Sequence, residues 1–369
     1  MRIIWAECKK ILAGRNLLLI LAVGALFLWA YLSNVMFPNY EGGDPLSFEL
    51  LERYGGEMDR EEFEDYKRWC DDTAKRMDAV VENTPECAAL GVSTWEEYKE
   101  KSSELSDSGE YEQWEAFTDS IRNQTNELYF RMYDMELIAS QYEFMLEQRA
   151  EGQWTQERTS LMPGNPIYER NYLMYAQNFI FMALVCVVLL TSPLIVRDKH
   201  ARMREVQYAS RAGRGLLGRQ LAAALLAAFA LITVFAVIFV FLYLVQGTAP
   251  FFGCRLGGFQ DYLDLWFPLT FGQMIMVHIA VMYLLGLGFA AAGFFLSRIS
   301  SGVVTLTALL VPLLAGLYFF CQAMLYDWGG LFVRKRPVYA DPLIILGVLA
   351  LGVSLAIWLC RREKRIQIA

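Results

Sequence analysis

Six stretches of about 20 mostly apolar residues, the length that crosses a hydrocarbon layer, govern what this chain can become. They cover 17–37, 178–196, 221–245, 267–296, 303–325 and 342–360. None contains Asp, Glu, Lys or Arg. A soluble fold would have to bury six such helices in one core, and the remaining polar material is too small for that. The sequence therefore predicts an all-α membrane protein. It has six transmembrane helices and a large helical extracytoplasmic insert between spans 1 and 2.

Charge separates the chain into parts. Residues 38–172 carry 32 acidic and 13 basic side chains, a net of −19 within a chain whose overall net is −7. The rest is basic, and its Lys and Arg cluster in alternate flanks of the spans. One set of flanks holds Arg2, Lys9, Lys10 and Arg15, then Arg197, Lys199, Arg202, Arg204, Arg211, Arg214 and Arg219, then Arg298, then Arg361, Arg362, Lys364 and Arg365. The opposite short loops hold only Arg255, Arg334, Lys335 and Arg336. The positive-inside rule then places both termini in the cytoplasm and the acidic insert outside, with Arg334–Arg336 as a local exception. The bulky Asn34–Pro38 stretch lacks a small-residue cleavage pattern, so the first span is expected to be an uncleaved anchor. Residues 1–12 mix Ile3, Ile4, Trp5, Ile11 and Leu12 with Arg2, Lys9 and Lys10, which suits a helix lying in the inner interface as well as the start of span 1. The domain expectation is 1–37 for the interfacial helix and span 1, 38–172 for the acidic domain, and 173–369 for spans 2–6 with a cytoplasmic loop at 197–219.

The insert reads as helical. Pro45 can open a helix after Asp44. Asp59 with Glu62, and Ser93/Thr94 ahead of Trp95, are helix starts. Residues 110–151 lack Gly and Pro. Trp114, Phe117, Ile121, Leu128, Met132, Met135, Ala139, Tyr142 and Leu146 recur there at three- or four-residue steps, interrupted at Gln124/Thr125. That predicts one long amphipathic helix. Its aromatic stripe is either core or a ligand surface. The acid excess either solvates the outer face or attracts cationic peptides and drugs. Cys70 and Cys87 both lie in the insert, and a disulfide and two free buried thiols are both open.

Catalytic signatures are lacking: no HExxH, GxSxG or dinucleotide fingerprint occurs, no catalytic residue is assigned, and no cysteine–histidine spacing fits a metal. GRGLLGRQ at 213–220 has Arg and Gln where a phosphate loop needs Lys and a hydroxyl, and it runs directly into a span. Intramembrane ionisable groups, which ion-coupled carriers need, reduce to His278. Energy for any transport would come from elsewhere.

The segment RDKHARMREVQYASRAGRGLLGRQLA (197–222) resembles the first cytoplasmic loop of type-2 ATP-binding-cassette (ABC) permeases. In that family a charged stretch precedes a small-Ser-Arg-x-Gly-Arg element. FLSRISS at 295–301 and the plan of interfacial helix, six spans and variable outer insert are similar too. The resemblance implies the permease subunit of a bacterial ABC exporter in the cytoplasmic membrane. Such a subunit pairs as a homo- or heterodimer and docks on a cytosolic ABC ATPase that holds the ATP and Mg²⁺. This chain would bind no cofactor and no nucleic acid. Arg197, Asp198, Glu205, Ser210, Arg211 and Arg214 are the implied ATPase-coupling residues, although the same basic residues also suit anchoring beside anionic lipid. The implied substrate is amphipathic: a peptide, lipid-like compound or drug, with antimicrobial-peptide resistance as one version. A non-transporting receptor or scaffold whose outer domain binds a ligand is the alternative. In span four Gly286, Ala290 and Gly293 share a face suited to close helix packing within the chain or across a dimer. Pro312 and Gly316 are candidate kink points in span five.

Overall fold

The computed structural model describes residues 2–12, 14–31, 45–150, 172–203, 213–256, 265–327 and 330–365. Regular structure there is helical, with an isolated antiparallel bridge between Leu265 and Val333. The chain divides into two compact units. One joins 1–42, 166–252 and 264–369; the other joins 43–165 and 253–263.

The first unit is the apolar one. Its helices are α1 (Arg2–Ile11) and α2 (Gly14–Tyr31), then, beyond the insert, α9 (Met174–Thr191), α10 (Pro193–His200), α11 (Leu216–Leu244), α12 (Phe271–Ile299), α13 (Val303–Leu325) and α14 (Ala340–Arg365). Five spans are long and apolar enough to cross a membrane: Met174–His200, Leu216–Leu244, Phe271–Ile299, Val303–Leu325 and Ala340–Glu363. Arg2–Ile11 and Asn16–Ala30 meet at 48° and make a sixth if that bent pair is one span. The chain is thus an all-α membrane protein. Burial ranks the spans. The apolar stretch of Met174–His200 is 78% buried and that of Val303–Leu325 is 17% buried, so the former is the centre of the bundle and α13 lies at its edge.

Two local features shape this bundle. Pro193 interrupts the second span, because it lacks an N–H and its ring blocks the preceding turn. The donors this frees are answered from another helix: Ser297 Oγ of α12 accepts from the Ile195 N–H at 3.0 Å and the Val196 N–H at 3.3 Å. Thr270 with Gln273 forms a capping box that starts α12. Pro312 sits inside α13, which continues through it.

The second unit contains α3 (Pro45–Tyr54), α4 (Arg60–Glu82), α5 (Pro85–Ala89), α6 (Trp95–Asp107), α7 (Tyr111–Arg122) and α8 (Asn126–Ala150). Reciprocal capping boxes begin α4 (Asp59/Glu62) and α6 (Thr94/Glu97). Asp78 on α4 accepts from the Trp95 N–H at 2.7 Å, placing a carboxylate at the positive end of α6.

The expected single helix over 110–151 is two helices. Asn123 closes α7 through its N–H to Asp119, and Thr125 turns its N–H and hydroxyl back onto the Ile121 carbonyl. Short polar side chains that compete for backbone carbonyls favour such a break. The break lets the two segments serve different cores. Tyr66, Phe63, Leu50, Met135 and Tyr142 form one cluster, with Phe63 and Tyr142 stacked at 3.9 Å. Met77, Trp95, Tyr98, Phe117, Ile121 and Met132 form the other. The stripe from Trp114 to Leu146 is therefore core.

Cys70 and Cys87 are free thiols, one in each cluster, and the disulfide alternative is not formed. Cys70 lies three turns before the end of α4, about 18 Å along its axis, which separates it from Cys87 beyond that end. Burial pushes each thiol up to about 11, so both stay protonated at neutral pH.

Candidate coupling face of the membrane unit

Two of the residues singled out for partner docking, Arg197 and Asp198, lie on α10, which runs out of the second span. Arg197 is exposed. Asp198 is not. It is 6% exposed, forms an ion pair with Lys10 of α1, and accepts from Gln220 Nε2 of α11 at 3.0 Å. It therefore acts inside the chain as a latch between α1, α10 and α11. A buried carboxylate is tolerated only when charge-paired and hydrogen-bonded, and Lys10 and Gln220 supply both. Cys8, one turn before Ile11, is buried by the same docking and donates to the Ala223 carbonyl at 3.5 Å.

Lys199 serves a second junction. Its Nζ donates to the carbonyls of Arg298 and Ser300, both at 2.6 Å. These are among the last carbonyls of α12, which have no partner within the helix and carry the negative end of its dipole. Arg298 in turn pairs with Glu363 of α14 at 2.6 Å, with the side chains 14% and 6% exposed. Charge-assisted bonds thus tie α1, α10, α11, α12 and α14 together at one end of the bundle. The signal for Glu363 was available: it is a lone acid in the run Arg361-Arg362-Glu363-Lys364-Arg365. Lys10 and Lys199 gave no local sign of their partners, which lie 188 and about 100 residues away.

Arg214 falls in a single 3-10 turn, Gly213–Gly215, that leads into α11. Glu205, Ser210 and Arg211 lie outside the described residues, so of the implied docking set the structure places Arg197 on the surface and Asp198 in the interior.

Gly286, Ala290 and Gly293 pack within the chain. A Cβ on Gly286 would meet Ile232 Cδ1 of α11 at 2.5 Å, and one on Gly293 would meet Thr191 Oγ1 of α9 at 2.7 Å. Ala290 is fully buried. That face packs against α9 and α11 within the chain. The closest backbone approach is on another face, where Gly288 of α12 meets Leu349 and Gly352 of α14.

His278 is fully buried. Its Nδ1 lies 3.0 Å from both Tyr172 Oη and Met274 O, and the Tyr172 ring, which also packs on Tyr243 and Phe271, meets the imidazole edge-on. Gln177, Gln322 and Asp327 form a further chain of side-chain bonds at 2.9 and 3.0 Å. Arg336, one of the cations that opposed the charge rule, is 11% exposed. It donates to Asp341 at 2.7 Å and to the carbonyls of Asp327 and Gly330. Among the described residues no group of three or more His, Cys, Asp or Glu side chains is placed to hold a metal ion.

Fold and site together define a helical membrane protein whose bundle is braced by ion pairs at one end. Comparison with family models, curated proteins and solved structures finds no match.

Proposed function

We propose that this chain is the membrane subunit of an ABC exporter. In this reading a separate cytosolic ATPase drives it, and it moves an amphipathic peptide, lipid-like compound or drug across the cytoplasmic membrane as a permease dimer. It has six spans, with α1–α2 as the first, both termini and the 197–219 loop in the cytoplasm, and the acidic unit outside. The sixteen Lys and Arg of the alternate flanks, against four in the opposite short loops, support that orientation.

The observation that carries the reading is the brace around α10. A loop that merely anchored to anionic lipid would need only its exposed cations. Here the helix that feeds the loop is bonded to α1 and α11 through Asp198 and to the end of α12 through Lys199. A displacement imposed on the loop by a partner is therefore delivered through α10 to three other helices at once, which is what a coupling element has to do.

The test is a search of the neighbouring reading frames for a small soluble ATPase with a phosphate loop, followed by its co-expression with this chain and reconstitution in liposomes. Substrate-stimulated ATP hydrolysis is expected, and Glu205→Ala with Arg211→Ala should abolish it while membrane insertion persists. Unchanged stimulated hydrolysis in that double variant removes the coupling role. A chain that neither binds nor stimulates the ATPase favours the receptor or scaffold alternative.

A further inference from the structure

Helix α8 is apolar on two opposite faces, and only one is covered. Met132, Met135, Ile138 and Tyr142 point into the cores. On the other side Phe130, Tyr133, Leu137 and Phe144 are 48%, 58%, 39% and 40% exposed. With exposed Asn126, Ser140 and Glu147, these positions (126, 130, 133, 137, 140, 144, 147) alternate steps of four and three. That 3.5-residue period is the seam that receives another helix. A solvated helix ordinarily carries polar residues on its outer face, and four large apolar side chains in register along about 21 Å of helix are a contact surface.

Charge selects the occupant. Exposed Glu127 lies beside the seam and exposed Glu147 at its end, while Glu143 is paired with Lys67. The described basic side chain of α8, Arg131, is held by Glu49 and lies over the Trp69 ring. The surrounding segment 38–172 is net −19. A second copy would set this acidic unit against itself, and an anionic lipid surface would be repelled. We propose that the exposed α8 face binds a cationic amphipathic helix, its apolar side on Phe130, Tyr133, Leu137 and Phe144 and its Lys or Arg residues beside the bordering carboxylates. The inference does not depend on transport, so a chain that fails the ATPase experiment can still bind here.

The probe is a synthetic Leu/Lys amphipathic helix of about four to five turns, with a Leu/Glu version of the same pattern as control. Binding is read by fluorescence anisotropy on the full chain in phosphatidylcholine nanodiscs, with empty nanodiscs subtracted. The wild-type chain should bind the Leu/Lys helix, should ignore the Leu/Glu helix, and should lose affinity as salt rises. The variant Phe130→Ser, Tyr133→Ser, Leu137→Ser, Phe144→Ser alters only exposed positions and should weaken binding about tenfold or more. Glu127→Gln with Glu147→Gln keeps the apolar seam and should flatten the salt dependence. Equal binding by wild type and the four-Ser variant overturns the proposal. So does binding of both peptides alike, or a concentration-dependent dimer of the chain that the four-Ser variant abolishes.

Discussion

The crossing of α12 and α14 gives the most direct test of how this bundle holds together. A Cβ added at Gly352 would run into the Gly288 carbonyl oxygen, with the carbonyl carbon at 3.0 Å and Cα at 3.3 Å. These are backbone atoms and cannot rotate away, so the two helices must part by about 1 Å before an ordinary contact is restored. A gap of that size forfeits about a quarter to a half of each dispersion contact along the seam, and overpacking of this kind costs about 1–3 kcal/mol. Gly347 lies five residues earlier on the same helix and meets nothing within 4 Å. Alanine at either position gains the same helix propensity, about 1 kcal/mol, so the difference between the two variants isolates the collision. It should amount to about 3 kcal/mol, the upper end of the overpacking range because backbone meets backbone. Thermal midpoints of detergent-solubilised protein, read by size-exclusion chromatography, should place Gly352→Ala several degrees below wild type and Gly347→Ala at or above it. Equal midpoints for the two would refute the claim that α12 and α14 touch backbone to backbone.

Two further predictions concern ionic contacts. Lys10→Ala removes the cation from buried Asp198 and should weaken docking of α1 by about 1–3 kcal/mol; maleimide labelling of Cys8 in a Cys360→Ser background should then accelerate about tenfold or more, and an unchanged rate would mean that α1 is held by its apolar contacts alone. Bonds from Arg131 hold the Glu49 carboxyl below its ordinary value of 4.5, so this clamp between α3 and α8 contributes fully above that value and is lost as pH falls through the lower folded one. Glu49→Gln should cost a few tenths to about 1 kcal/mol at pH 7 and converge with wild type as pH falls through the lowered value; a difference in unfolding midpoint that stays constant from neutral to acid pH would show that the pair's charge does not matter.

What the sequence disclosed and what it hid divide by range. Asp59 with Glu62 and Thr94 with Glu97 announce their helices because both members of each capping box lie within one turn. The spans announce themselves because length and apolarity suffice. The break at 123–125 showed as a gap in the stripe, but a gap does not say whether a helix bends or ends. Gly286 and Gly293 could be recognised as contact points, whereas Ile232 and Thr191, which fill the space beside them, could not. Gly352 carries no such mark: α14 also holds Gly347, and nothing in the sequence tells the glycine that meets α12 from the one that meets nothing.

Asp198 shows how the same limit bears on function. It lies in a basic run, and in sequence an acid among cations looks like part of a docking surface. In three dimensions its carboxylate is buried, and its partners come from α1 and α11. Lys199, one residue later, is turned toward the end of α12. Adjacent charges in one loop thus belong to different junctions, and both junctions face into the bundle. The residues left to meet a partner are those whose charge the bundle does not consume, beginning with exposed Arg197. The same sorting applies to the insert. Glu136 is half-buried and already receives Trp95 and Lys99 at 2.9 and 3.0 Å, while the exposed Glu127 and Glu147 flank the open seam of α8. Net charge proposes where a partner binds; burial and pairing decide which of the charges are available to it.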